Sequence, residues 1–347
     1  MKDTRDPVSK EAPISDFERK FFIISLSIIV VLILFFTYLH YWQPQILGVP
    51  TLALNAQRQL DGPVLPGPPQ PFGVPNNSDV STWRNPSFEH TCVYQSATEA
   101  ARERLRLEGI PGTSLGNLIF MELFALFNTL LCLWHARKHF GKWMAWCFLL
   151  GSFVFTGVQE SFWILFGRAG HFAIQGFEPM YGTYWFTRGL TWFIETPVNN
   201  CFGWFYIAYA CVWMAQKTFP KWGPWTQAAV GGLLAMIIDL WMDPVNTSPE
   251  SMNWVWATGD FVRIFGIPQS NFVGWFLLIF VFAIIWGGFL PSWEKTWGRA
   301  KATKMFLWTL VVADIGVIAF QWPWALIVKG ILMVSGINHT VLIPPGW

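Results

Sequence analysis

Two aspartates four residues apart, Asp239 and Asp243, interrupt the otherwise apolar run GGLLAMIIDLWMDPV. At i and i+4 of a helix they share a face about 6 Å apart. Pro244 disfavours helix at residue 243, which puts the pair at the negative end of the helix dipole. Proximity, dipole and low dielectric all penalise a second negative charge, so at least one carboxyl is expected to keep its proton at neutral pH. A protonated carboxyl in an apolar setting is a proton donor. The bland alternative is that Asp243 caps the following loop or pairs with Arg263.

Other polar groups interrupt apolar runs as well: Gln159 and Glu160 in TGVQESFWILFGR, Glu195, Asn199 and Asn200 in WFIETPVNNCFGW, Asn271 in PQSNFVGW, and Asp314. Ionisable residues in hydrocarbon are costly, face a bundle interior and are functional candidates by default. The alternative for each is an interhelical hydrogen bond or ion pair, with Arg168 and Arg188 as available partners. Tryptophans accompany these groups: Trp163, Trp192, Trp204, Trp241, Trp254, Trp256 and Trp275 lie in or beside the same segments. Some of the 23 tryptophans belong to interface belts. Ring faces turned inward would stabilise a desolvated cation by about 2 kcal/mol or more each. Acid donor plus aromatic lining suits protonation of an isoprenoid double bond and holding of the resulting carbocation.

Positioning such a site requires helices, and the composition supplies them. With 53% hydrophobic and 13% charged residues, the chain reads as an all-α polytopic membrane protein. Apolar runs long enough to cross a bilayer fall at 21–39, 115–134, 143–166, 185–214, 225–242, 272–290 and 306–322. These give seven spans, with a shorter eighth piece, 324–337, read as interfacial or re-entrant. The first run exceeds a signal-peptide core and lacks an A-x-A site, so it is expected to stay as an anchor. Residues 1–40 form the N-terminus and this anchor. Residues 41–113, beginning Pro/Gly-rich and continuing as SATEAARERLRLEG, read as an extracytoplasmic cap, and 114–347 as the bundle. Basic residues cluster in alternate connections, which places the N-terminus in the cytoplasm and the protein in the cell's inner membrane. Glu160 then lies about 9 Å and Glu195 about 15 Å below the outer ends of their spans. With Asp239, Asp243 and Asn271 they converge on the outer half of the membrane, from four expected helices.

Several chemistries lack support. The net charge of +2 is too small to suggest nucleic acid. Of the five cysteines only Cys92 lies outside the spans, which gives no disulfide framework. His135 and His139 form an i, i+4 pair among basic residues at a helix end, where complementing the dipole is the simpler reading than a metal site. Nucleotide, phosphoryl and serine-hydrolase motifs do not occur. No metal or other cofactor is expected.

The run IIDLWMDPV, the pair Trp254 and Trp256, and then FGIPQSNFVGWF resemble, in this order, motifs of the membrane carotenoid-biosynthesis family whose best-known members are the carotenoid 1,2-hydratases. QESFWILFGR, MYGTYWF and ETPVNNCFGW echo the family's preceding pattern, so the resemblance covers roughly 150–290. Two features depart from it: MYGTYWFTRGL, where hydratases show a plainer segment, and the long cap. The resemblance implies a lyase that hydrates a terminal double bond of an acyclic carotenoid or polyprenoid drawn from the bilayer. Asp239 or Asp243 would protonate the alkene, Asn271 or Glu160 would position the water, and Glu195 would share the catalytic pocket. Tyr184 and Asn200 would join the tryptophans in binding substrate. Two alternatives stay open: a membrane isoprenoid cyclase using the same acid, and a non-catalytic pigment- or lipid-binding subunit docking to other membrane subunits.

Overall fold

A computed structural model describes residues 15–42, 99–100, 114–164, 184–248, 250–251, 253–256, 262–336 and 341–343. The expected cap falls almost wholly outside these residues, as does Arg168. Helix α1 (Asp16–Trp42) starts on a capping box, in which the Ser15 Oγ accepts from the Glu18 amide and Glu18 accepts from the Ser15 amide. Helix α2 (Leu115–Phe140) ends at Gly141, whose φ of 84° lets the chain reverse at one residue into α3 (Lys142–Ser152). That helix continues through a π-helical turn, Phe153–Gly157, to Ile164. Next come α4 (Val198–Thr218), α5 (Pro224–Asn246) and α6 (Gln269–Ile284), then a second π turn at Ile285–Phe289 and α7 (Leu290–Val334). Gly298, at φ 76°, bends α7 near its start.

Five stretches among the described residues are long and apolar enough to cross a membrane: α1, α2, Lys142–Ile164, α5, and Gln269–Val334, the last folded at Gly298. Three sequence-based boundaries change. The expected span 185–214 is helical only from Val198, and the residues before it form short strands. Pro244 does not stop α5, which runs to Asn246. In the last turn a proline frees only one carbonyl, that of Leu240, and the Thr247 amide still reaches the Asp243 carbonyl at 2.9 Å. The segment 324–337 is not a separate piece either, because α7 passes through Pro323 as far as Val334.

The short strands reveal an internal repeat. WFIETPVNNCFGW (192–204) and RIFGIPQSNFVGW (263–275) share Pro, Asn, Gly and Trp at the same four places. Each begins with a two-residue hairpin, β2 (Trp192–Phe193) with β3 (Thr196–Pro197), and β5 (Arg263–Ile264) with β6 (Ile267–Pro268). The registers match, Trp192 facing Pro197 and Arg263 facing Pro268. The first loop residue takes positive φ in both, Ile194 at 58° and Phe265 at 54°. A proline caps the following helix in each, and the same backbone bond closes each unit: Val198 to the Thr191 carbonyl and Gln269 to the Val262 carbonyl, both 2.9 Å. Upstream, β1 (Tyr184–Phe186) pairs antiparallel with β4 (Trp254–Trp256), each strand belonging to one repeat. Antiparallel pairing of equivalent strands, and contact of the equivalent rings Trp204 and Trp275 at 4.1 Å between centroids, give the two repeats a local two-fold relation. A third small sheet adds β7 (Val341–Ile343) parallel to β5.

Candidate active site

The buried face of α5 explains why its acids point inward. Gly231, Ala235, Asp239 and Asp243 follow one another at four-residue spacing and are all buried. The small residues let α6 approach so closely that a Cβ at Gly232 would lie 2.7 Å from the Phe276 carbonyl oxygen. The same stripe then carries the two aspartates against the first turn of α6. There the Asn271 amide donates to Asp239 Oδ2 at 3.0 Å and to Asp243 Oδ2 at 2.6 Å, bridging the pair. Asp239 is wholly buried, and Asp243 stands in front of it at the wall of a cavity of about 310 Å³.

The opposite wall comes from the first repeat. The last turns of α3 bring Gln159, Glu160 and Trp163, and the start of α4 brings Asn199, Asn200, Gly203 and Trp204. The Trp204 indole donates to Glu160 Oε1 at 2.7 Å. Tyr184, Trp254 and Trp256 from the paired strands, and Trp275 from α6, complete an aromatic surround. Three lining residues carry buried polar atoms that find no hydrogen-bond partner among the described residues: Glu160 Oε2, Asn199 Oδ1 and the Trp256 indole nitrogen. Such atoms are rare in folded proteins and costly to leave unmatched. Their collection around one cavity suits a site that receives polar atoms from water or ligand.

Asp243, Glu160, Asn271, Asn200, Tyr184, Trp163, Trp204, Trp254, Trp256 and Trp275 therefore line one cavity, with Asp239 directly behind. Three other expected members lie elsewhere. Glu195 sits in the β2–β3 loop, its backbone amide donating to Ser161 Oγ at 3.1 Å, because the hairpin replaces the helix expected there. Trp192 belongs to the same hairpin and stacks on His40 of α1 at 4.0 Å. Trp241 is 72% exposed: two residues past Asp239, a helix has turned it to the far side. The available partners also differ. Arg188 donates to Asn253, which in turn donates to Asn246, so this cluster joins β1 to the end of α5. His135, read as a dipole complement, hydrogen-bonds the Tyr209 hydroxyl at 2.5 Å.

Sequence reading missed Asn246, Asn253, Gln321 and the wall that α2 contributes through Phe120, Met121, Phe124 and Ala125. Gln321 carried a readable signal, a carboxamide inside an apolar run. The spacing P-x-x-N-x-x-G-W, present twice, would have disclosed the duplicated frame and paired Asn200 with Asn271.

Comparison with curated proteins and with solved structures finds no match. A family model described as "Carotenoid biosynthesis protein" matches residues 120–337, well over half of the chain. That range starts in the α2 wall, takes in both repeats and ends past Gln321, so it covers the whole of the cavity, and the chain belongs to the carotenoid biosynthesis protein family.

Proposed function

We propose that the protein hydrates a terminal carbon–carbon double bond of an acyclic carotenoid or related polyprenoid. The observation that carries this reading is the bridged pair Asp239–Asn271–Asp243 at the wall of an aromatic cavity. Asp243 gives its proton to the less substituted carbon of the end-group alkene, which leaves a tertiary carbocation on its neighbour. Trp204, Trp254, Trp256 and Trp275 supply ring faces to that charge. A water held at Glu160 Oε2, an atom with no hydrogen-bond partner among the described residues, attacks the cation, and its surplus proton goes to the Asp243 carboxylate left by the first step. Return of one proton to the aspartate pair restores the starting state, and the net change is addition of one water.

The same acid would start a cyclisation if an internal alkene captured the cation. The unmatched polar atoms around Glu160 favour water as the nucleophile. We place the hairpin end of the bundle on the extracytoplasmic side, with the N-terminus inside, on the alternation of basic connections. A topology reporter fused at Gly73 should then read outside and one at Lys221 inside. The functional test is pigment extracted from a lycopene-producing host that expresses the chain. A product heavier by one water supports the reading, an isomer of unchanged mass supports cyclisation, and unaltered pigment in the presence of folded protein removes both.

A further inference from the structure

The two repeats place a glycine at the same point of their helix-start motifs, Gly203 in α4 and Gly274 in α6. Their surroundings differ. A Cβ built at Gly274 would overlap the Gln321 side-chain amide, so a residue from α7 fills that seat. At Gly203 the nearest atom to such a Cβ is the Tyr206 hydroxyl at 3.6 Å, so the equivalent seat is open on the cavity side. By helical spacing Asn199, Gly203 and Tyr206 share one face of α4, and all three line the cavity together with Met121 and Phe124 of α2.

Phe120 and Phe124 line this cavity although they are 64% and 53% exposed. Residues that do both stand at its mouth. The acids, by contrast, are buried, Asp243 at 2% and Glu160 at 7% exposure. A volume of about 310 Å³ is at the small end of ligand sites and holds an end group rather than a long chain. The exposed faces of α2 near the mouth are apolar, Leu123 and Phe127 among them, as a bilayer-facing surface should be.

Resting on the reading above, we infer that the gap between α2 and α4, floored by Gly203, is the passage through which a long polyene enters sideways from lipid, leaving its tail between the helices while its end group meets Asp243. Gly203 and Met121 on the two sides of this gap then decide whether a chain can be seated. The occupant is an extended acyclic polyene, because the passage joins an apolar mouth to a proton donor, and the described residues that line it from α2 and α4 carry no charge.

The test is retention of lycopene by the full-length protein in lipid nanodiscs, read from polyene absorbance per protein. Gly203→Leu and Met121→Trp should each lower retention about tenfold, the scale on which filling an apolar pocket discriminates. Gly116→Leu is the matched control: a Cβ there meets nothing within 4 Å, and retention should not change. Wild-type retention in both passage variants would overturn the inference, as would wild-type protein that retains no polyene. Binding and turnover separate the two claims. Loss of retention in the passage variants supports the passage even if no hydrated product forms, whereas hydration by passage variants that still bind pigment refutes the passage alone.

Discussion

The two repeats use the same frame to hold different acids. In the first, Glu160 of α3 is a single carboxyl held by the Trp204 indole, and the hairpin is clamped from outside by α1: the Trp192 amide donates to Thr37 Oγ1 at 2.9 Å, and His40 bonds the Ile194 carbonyl at 2.7 Å. In the second, α5 brings two carboxyls under the Asn271 amide, and the outside clamp is α7, where the Trp324 indole donates to Gln269 at 2.8 Å and Gln321 fills the glycine seat. Hairpin, proline cap and Asn/Gly/Trp spacing fix where a helix start points. The helix that precedes it decides what chemistry stands there. Duplication of the frame thus makes one cavity with two unlike poles, a paired acid and a lone carboxyl, where a single copy would give only half a wall.

The comparison is sharpest at the acids. Asp243→Asn should reduce product formation by at least the 10²- to 10⁴-fold usual for losing a general acid, ~10³ or more being expected because an isolated alkene has no other route to protonation. Product per blotted protein in membranes measures it. Glu160→Gln should lose less, since the amide can still hold water and accept from Trp204, while Glu160→Leu should lose most of the activity. Equal losses in Asp243→Asn and Glu160→Gln would erase the distinction between the poles.

Asp239→Asn should fall between them, since it keeps the Asn271 bridge and the Asp243 acid but loses the second carboxyl of the pair. Product per blotted protein equal to wild type would mean that Asp239 is only a packing partner. Glycine seats give a smaller effect, on stability rather than rate. Gly274→Ala should destabilise the protein by about 1–3 kcal/mol, the usual range for overpacking. Combining it with Gln321→Ala should recover part of that loss in thermal unfolding in detergent. Trp241→Ala should change neither quantity, since that ring lies on the outer face.

Much of the site was legible because its residues break the rule of their surroundings. Asp239, Asp243 and Glu160 are carboxyls in apolar runs, and their shared position at one end of the bundle follows from counting along helices that alternate in direction. Glu195 and Trp192 were misplaced for the converse reason: a β-hairpin made of Trp, Phe, Ile and Thr is as apolar as a membrane helix, so hydropathy cannot separate them. Pro197 was the available cue, since proline is costly inside a helix and well tolerated at its start, where it caps α4. Trp241 was misassigned because proximity in sequence to Asp239 is not proximity on a helix face. The α2 wall carried one signal that went unused, Glu122 in LIFMELFALF, a carboxyl in an apolar run that marks the inward side by accepting from the Thr191 hydroxyl at 2.9 Å.

The most direct measurement of the central claim is isotope incorporation. Membranes containing the protein are incubated with the acyclic polyene in oxygen-18 water, and separately in deuterium oxide, and the product is examined by mass spectrometry. Acid-catalysed hydration predicts one oxygen-18 in the new hydroxyl and one non-exchangeable deuterium on the adjacent carbon, with both labels absent in Asp243→Asn membranes. A product that takes up deuterium without oxygen-18, or one formed equally well by the Asp243→Asn variant, would contradict the account.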